Sequence, residues 1–224
     1  IDVAARLLEV LSGQPLGDFL RERMFEPLGM VDTGFGVPDS KVDRLSAMYG
    51  LPDLIGEQYT GTKLIKAALS GFNERIDVSA TYPTDTPQVF VRGGLGLFST
   101  GPDYRRFAQM LLNGGHLDGS RLLGRKTLEL MHMNHLPDDF MPFEVLGRPM
   151  PGFGFGLGSR SMVDVATSAG PGSFGEYGWA GAAKTYYWVD PAEDLLGVFM
   201  SQCMTGVPTP DRDFRSLVYQ AIVD

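Results

Sequence analysis

The chain has 224 residues, of which 43% are hydrophobic, so it is long and apolar enough to form the core of a globular domain. Acidic side chains outnumber basic ones by 27 to 19, and the net charge of -8 argues against nucleic acids and anionic membranes as partners, because both attract positive charge. No apolar run approaches the roughly 20 residues of a membrane span, and Ile1-Asp2-Val3 is not a basic region followed by an apolar one, so targeting cannot be inferred. The localisation is left open, with a soluble, cytoplasmic protein as the favoured expectation.

Two short helices are predicted at the start of the chain. Apolar residues recur at helical spacing, at Val3, Leu7, Leu8 and Leu11. Gly13 is a typical stop for this helix, and Pro15 suits the first turn of a second one. The apolar face of the second helix comprises Leu16, Phe19, Leu20 and Met24. The two helices are expected to form a hairpin.

The long region from residue 31 to about residue 91 contains many Gly, Pro, Asp and Thr residues and only brief apolar runs. A stretch of this kind is unusual inside a compact domain unless it is functional. It is therefore expected to form loops, either as the wall of a pocket or as a solvated excursion.

Regular structure is predicted again from the glycine-rich segment 93–100. Its glycines lack the Gly-x-Gly-x-x-Gly spacing of a phosphate cradle, so they indicate tight backbone packing near a pocket floor. Thr100 and Asp103 are predicted to form a capping box at the start of a helix. The buried face of that helix comprises Phe107, Met110 and Leu111. The pair Asp118-Gly119 predicts a hairpin, and another helix is expected over residues 125–134.

Beyond Pro137 the pattern is typical of strands. Residues 153–158 alternate large side chains with glycine, and three further strands are expected at 177–182, 185–190 and 195–202. These should form an antiparallel meander. A closing helix should cover it with Phe214, Leu217, Val218, Ala221 and Ile222. The chain thus divides into helices and pocket-wall loops (1–150) and antiparallel strands with a C-terminal helix (151–224).

Residues 179–191 resemble the rim of a serine-hydrolase active site, but the sequence carries no nucleophile motif. No serine is followed three residues later by a lysine, the pairing in which the amine takes the serine proton. Gly-x-Ser-x-Gly does not occur either. The nearest approach is Gly172-Ser173-Phe174-Gly175, which has Pro171 in place of the first glycine. The sequence therefore looks like half an enzyme.

Three other candidate sites are rejected on their residue patterns. Glu129, His132 and His135 could bracket a metal ion, but two further ligands at suitable spacing are missing. His116 belongs to a predicted surface hairpin, which does not support a Ser-His-Asp triad. Cys203 is the sole cysteine and lies in a predicted strand, so it is expected to be a buried, inert thiol.

Four stretches resemble the serine beta-lactamase-like hydrolases, and most closely the penicillin-binding-protein-like carboxylesterases of the family VIII type. They are SGQPL (12–16) with FEPLGM (25–30), GGLGLFST (93–100), residues 112–123, and Trp179-Ala180-Gly181 with the strand that follows. The resemblance covers nearly the whole chain in one order. It implies an α+β fold, an α/β sandwich in which a five-stranded antiparallel sheet flanked by helices lies beside a helical region. This chain would be its C-terminal portion.

The same resemblance implies that essential groups lie outside this chain. In the family, the catalytic serine and lysine open a helix in the N-terminal half. The catalytic tyrosine motif is expected just before a helix like the one that begins this chain. The nucleophile, its lysine and the tyrosine would therefore come from an N-terminal segment of the same enzyme, and this chain alone is predicted to be inactive.

By resemblance, Trp179-Ala180-Gly181 replaces the Lys-Thr-Gly that lactamases carry on the strand beside the pocket. Gly181 would let the substrate approach the strand edge, and the N–H of Ala182 would form half of the oxyanion hole. Trp179 and Ala180 would contact the substrate. An apolar ring in place of a cation favours a neutral ester over a carboxylate-bearing beta-lactam. Two alternatives stay open: Trp179 packed in a core, and Lys184-Thr185-Tyr186 as a shifted motif with Tyr in place of Gly.

The sequence thus predicts the C-terminal part of a serine carboxylesterase that cleaves small-molecule, short-chain esters through an acyl-enzyme, without a metal or other cofactor. One alternative is a beta-lactamase or D-amino-acid peptidase of the same fold. Another is a catalytically dead domain that binds acyl or peptidoglycan-like ligands. The encoded sequence upstream of Ile1 separates catalysis from binding, because only a catalyst requires Ser-x-x-Lys and the tyrosine motif there.

Overall fold

The computed structural model describes residues 1–50, 75–76, 91–145, 147–168, 170–204 and 210–223, so most of the expected pocket wall lies outside the described residues. The chain forms two compact units. The first comprises Ile1–Tyr104, Ala182–Lys184 and Ser201–Val207, and the second comprises Arg105–Gly181, Thr185–Met200 and Pro208–Asp224. The division at residue 150 was drawn from composition rather than from contacts, and it stays a prediction.

The helices of the described residues are α1 (Asp2–Ser12), α2 (Leu16–Leu20), α3 (Gly101–Leu112), α4 (Arg125–Met131), α5 (Val165–Ser168) and α6 (Pro210–Gln220). A π-helical turn, Arg21–Phe25, continues α2, and single 3-10 segments lie at Asp39–Arg44 and Asp138–Phe140. The strands are β1 (Met48–Gly50), β2 (Arg75–Ile76), β3 (His116–Leu117), β4 (Ser120–Arg121), β5 (Glu144–Val145), β6 (Arg148–Pro149), β7 (Phe153–Phe155), β8 (Arg160–Met162), β9 (Tyr177–Ala180), β10 (Tyr186–Asp190), β11 (Leu195–Phe199) and β12 (Cys203–Met204).

The predicted N-terminal hairpin of helices is confirmed in the first unit. Gly13 ends α1 in the left-handed conformation, with φ at 69°, and its N–H donates to the carbonyl of Glu9. The carboxylate of Glu9 then accepts the N–H of Leu16 at 3.0 Å, which joins the two helices. The apolar stripe of α1 is exposed, however, with Val3 at 84% and Leu7 at 55%.

The start of α3 differs from the predicted capping box. Thr100 does cap the helix, because its hydroxyl accepts the N–H of Asp103 at 3.3 Å. The Asp103 carboxylate does not reach back to Thr100. It is buried instead, where it accepts the N–H of Asp32 at 2.7 Å and the hydroxyl of Thr33 at 2.8 Å. The Asp103 carboxylate thus bonds to Thr33, 70 residues away in sequence, and not to the backbone of Thr100 as the capping box requires.

The second unit contains an antiparallel sheet in the order β11-β10-β9-β8-β7. This confirms the predicted meander, and β8, which was not predicted, adds a strand to it. The strands are shorter than expected, since β9 ends at Ala180 and β11 at Phe199. The fully buried ring of Trp188 crosses Gly197, where a Cβ atom would lie only 2.0 Å from the indole. Glycine is therefore required at this position.

Helix α6 packs on one face of this sheet, but the residues it buries were not all predicted. Phe214 contacts the rings of Trp188 and Phe199, with centroids 5.8 and 5.6 Å apart. Leu217 is 64% exposed, so its assignment to the buried face is wrong. Arg215 is buried instead, because it forms an ion pair with the buried carboxylate of Glu176. The side of α6 that faces the sheet thus combines the aromatic contacts of Phe214 with the buried ion pair of Arg215.

The Asp118-Gly119 hairpin between β3 and β4 is confirmed, with both turn residues at positive φ. Helix α4 ends at Met131, three residues before the predicted end. The chain leaves the helix because the side-chain oxygen of Asn134 accepts the N–H groups of Leu136 at 3.0 Å and Phe155 at 3.1 Å. These bonds attach the segment after α4 to β7.

Candidate active site

The end of β9 is open to solvent in the second unit. Ala180 is the last strand residue and pairs with Tyr186 of β10. Ala180 and Gly181 are both exposed, whereas Trp179 is half-buried. The N–H of Gly181 donates to the carbonyl of Thr185 at 2.7 Å, which begins the turn that leads into β10. The residues predicted to border the pocket therefore lie at an accessible strand end.

Glycine at position 181 has a steric reason in this structure. A Cβ atom at this position would lie 2.3 Å from the hydroxyl oxygen of Thr185, far inside van der Waals contact. The backbone conformation itself does not require glycine, since Gly181 is not at positive φ. The hydroxyl of Thr185 therefore occupies the space that a side chain at position 181 would need.

The turn after β9 presents an unpaired backbone donor. The N–H of Ala182 has no acceptor among the residues that the structure describes, and Ala182 is exposed. The next two carbonyls of the turn, of Ala183 and Lys184, both accept the hydroxyl of Ser201, at 3.0 and 3.1 Å. The N–H of Cys203 also donates to Ala183, at 3.1 Å. The turn is thus held through its carbonyls, while the Ala182 N–H has no acceptor in the described part of the chain.

Trp179 belongs to a row of aromatic rings. Its indole meets the ring of Phe155 edge to face, with centroids 5.1 Å apart, and Phe155 meets Phe143 in the same manner at 5.7 Å. Trp179 is packed on one side and accessible on the other. It can therefore contact a ligand without leaving its packed position.

The alternative motif, Lys184-Thr185-Tyr186, does not present an open strand edge. Lys184 lies in the turn, in the left-handed conformation with φ at 63°. The side chain of Tyr186 is buried, with 4% exposure, and it stacks on Trp188 at 5.4 Å. A large buried ring thus stands where the shifted motif needs a glycine.

The histidines do not form a metal site in the described part of the chain, where no cluster of three or more His, Cys, Asp or Glu is found. Glu129 pairs with Arg125 and Lys126. A ring nitrogen of His135 donates to the carbonyl of Leu130 at 2.7 Å. His116 is exposed on β3, as predicted.

His132 has a structural environment that the sequence did not predict. Its ring stacks on Tyr177 at 3.6 Å, and its Nδ1 lies 2.7 Å from the buried hydroxyl of Ser159. Burial lowers the pKa of His132 from 6.5 to about 4, because the charged imidazolium loses its hydration. His132 is therefore neutral at pH 7.

Glycines in the segments 93–100 and 172–175 permit close packing. A Cβ on Gly93 would lie 2.7 Å from the side chain of Ala5, so this glycine permits close contact with α1. A Cβ on Gly172 would lie 2.3 Å from the guanidinium of Arg215. Cys203 is half-buried in β12, which pairs in parallel with β1, rather than in the long strand that was expected.

One feature was missed by the sequence interpretation. A depression of about 380 Å³ lies after α4, lined by Leu136, Asp139, Phe140, Met141, Pro142, Phe143 and Glu144. The signal was present, because a run of aromatic and apolar residues beside an acidic pair is unusual for a surface connection. The sequence pattern predicts only that strands begin after Pro137.

Comparison with known proteins supports a single family. The sequence model of the Beta-lactamase family matches residues 1–221. Protein Rv1367c of Mycobacterium tuberculosis is 34% identical over 208 residues, covering 90% of this chain and 47% of that protein. Lovastatin esterase of Penicillium rubens is 26% identical over 227 residues, covering 92% of this chain and 50% of the enzyme.

A solved structure shows the same fold. EstCE1, described as a hydrolase with promiscuous acyltransferase activity, superimposes with a TM-score of 0.74 at 24% identity, over 98% of this chain and 54% of EstCE1. The chain spans about half the length of the curated relatives it matches. Within the described residues, no helix is both long and apolar enough to cross a membrane.

Proposed function

Because the chain belongs to the Beta-lactamase family, we propose that it forms one wall of the active site of a serine carboxylesterase that cleaves short-chain esters. The observation that carries the proposal is the open end of β9, where Gly181 and Ala182 are exposed and the Ala182 N–H lacks a protein acceptor among the described residues. A backbone donor in this state is suited to bind the oxygen of a tetrahedral intermediate.

The proposed reaction has two steps. A serine hydroxyl from a further segment attacks the ester carbonyl carbon, and its proton passes by way of a lysine and a tyrosine to the alcohol that leaves. Water then attacks the acyl-serine, which releases the acid and restores the hydroxyl. In both steps the N–H of Ala182 donates to the carbonyl oxygen as negative charge develops on it, together with the N–H of the serine.

Two observations support the participation of a further segment. The relatives are about twice as long as this chain, so the family carries a second part of similar size. Helix α1 also exposes an apolar stripe, at Val3, Leu7, Val10 and Leu11, with exposures between 55% and 84%. A stripe of this kind on a globular protein is typical of a face that packs against another element.

Trp179 supports an ester rather than a beta-lactam as substrate. A half-buried indole offers apolar contact and no positive charge, so a carboxylate-bearing substrate finds no ion-pair partner in that side chain. We expect hydrolysis of p-nitrophenyl acetate or butyrate to exceed hydrolysis of nitrocefin. The opposite order would favour a beta-lactamase.

The test compares this chain alone with the same chain mixed with, or joined to, the segment encoded upstream. We expect ester turnover only when that segment is present. Ala182→Pro, which removes the N–H, should lower kcat about 100-fold or more, whereas Ala182→Gly, which keeps it, should retain most activity. Equal activity of these two variants, with unchanged melting temperatures, would contradict the role of this donor.

A further inference from the structure

The open depression after α4 is lined by five apolar residues and by two carboxylates. Its walls include Phe140, Met141 and Phe143, and its volume of about 380 Å³ can hold a small organic group. Phe140 is 67% exposed, which leaves a large aromatic surface open to solvent at the rim. Covering such a surface with an apolar ligand is favourable, because apolar area is removed from water.

The depression is fixed to the sheet of the second unit. The side chain of Asn134 accepts N–H groups from both Leu136 and Phe155, at 3.0 and 3.1 Å. The N–H of His135 donates to the carbonyl of Phe155 at 2.9 Å. Gly154 permits this approach, since a Cβ there would lie 2.4 Å from Asn134. The segment 134–136, where the depression begins, is therefore held beside β7.

A continuous row of rings joins the depression to the strand end described above. Phe143 contacts Phe155 and Phe155 contacts Trp179, with centroids 5.7 and 5.1 Å apart. Gly181 follows two residues after Trp179. A substrate whose carbonyl lay at the end of β9 could extend its hydrocarbon part along these rings.

The charge at the rim disfavours one class of ligand. Asp139 and Glu144 both line the depression, and neither forms an ion pair among the described residues. Two carboxylates in a chain of net charge -8 disfavour an anionic ligand through like-charge repulsion. An uncharged ligand is not repelled.

We propose that this depression is the subsite for the hydrocarbon part of an uncharged organic molecule, and that Phe143 is the residue that determines its affinity. The identification of that molecule as an ester rests on the proposed function. The apolar site itself does not, because it is built from residues present in this chain.

Binding of two fluorescent probes to this chain tests the proposal without any catalytic group. The neutral probe is N-phenyl-1-naphthylamine, and the anionic probe is 8-anilinonaphthalene-1-sulfonate. We expect the neutral probe to bind at least ten times more tightly. Phe143→Ala should weaken its binding about tenfold, whereas Phe174→Ala, a control at a ring that is 76% exposed and outside the depression, should leave the affinity unchanged.

Further variants keep the test decisive if Phe143→Ala does not fold. Phe143→Leu retains an apolar wall and should bind the neutral probe within threefold of the unaltered chain, and Phe140→Ala should weaken it at least fivefold. The double variant Asp139→Asn with Glu144→Gln should increase the affinity for the anionic probe only.

Unchanged affinity for the neutral probe in Phe140→Ala, or an equal loss of affinity in Phe174→Ala, overturns the subsite. Probe binding without ester turnover in the reconstituted enzyme retains the subsite and refutes only the proposed esterase.

Discussion

Replacing Gly181 by alanine tests whether the end of β9 is shaped as described. The new Cβ would lie 2.3 Å from the hydroxyl oxygen of Thr185, so the two atoms must separate by about 1 Å to reach an ordinary contact. Thr is branched at Cβ and rotates with difficulty in a half-buried position. We expect Gly181→Ala to lower the free energy of unfolding by about 1–3 kcal/mol, the usual range for overpacking.

A double-mutant cycle combines Gly181→Ala with a second substitution, Thr185→Ala. Once the hydroxyl is removed, the nearest remaining Thr185 side-chain atom, its Cβ, lies 3.7 Å from the added methyl group, which is ordinary contact. The double variant should therefore regain most of the stability lost in Gly181→Ala. Thr185→Ser, which keeps an oxygen on a more mobile side chain, should give an intermediate result.

Urea unfolding of the chain, followed by circular dichroism, measures all of these variants. The coupling free energy between positions 181 and 185 is expected to be about 1–2 kcal/mol, since the two side chains occupy the same space. If Gly181→Ala destabilises the chain equally with Thr and with Ala at position 185, the steric explanation of this glycine is refuted.

Three further predictions concern the sheet of the second unit. Because the folded-state pKa of His132 is lowered to about 4, the unfolded chain binds a proton that the folded chain does not, and stability should fall as the pH decreases from 6.5 to 4. The loss should reach at most about 3 kcal/mol relative to His132→Gln in urea titrations at each pH, and parallel pH profiles would contradict it. Arg215→Met should cost about 3 kcal/mol, because the buried carboxylate of Glu176 loses its nearest cation and keeps only Arg160 at 3.9 Å and the hydroxyl of Tyr219, and adding Glu176→Met should restore part of this loss. Gly197→Ala should lower the melting temperature by several degrees because its methyl group overlaps the indole ring, whereas Gly101→Ala, in open space, should leave it within about 2 °C.

The sequence alone determined which segments form helices and strands wherever a local signal exists. Gly13 and the Asp118-Gly119 pair set backbone conformations that few other residues adopt, and the structure has both. Alternation of large residues with glycine predicted a strand at 153–158, and the structure has β7 there, at Phe153–Phe155. The family resemblance was also carried by the sequence, because its four stretches occur in order along nearly the whole chain, and the matched family confirms it. The proposed roles of Trp179, Ala180, Gly181 and Ala182 stay predictions.

Only the tertiary structure decided which polar groups are buried and what surrounds the candidate site. Asp103 and Arg215 bond to partners 70 and 39 residues away, and no local pattern reveals a partner at that distance. The match between Gly181 and the hydroxyl of Thr185, and the ring contacts from Trp179 to Phe143, depend on strand register and packing. Periodicity indicates which face of an element is apolar. It does not specify which neighbour covers that face, because burial follows from contacts between residues that are distant in sequence.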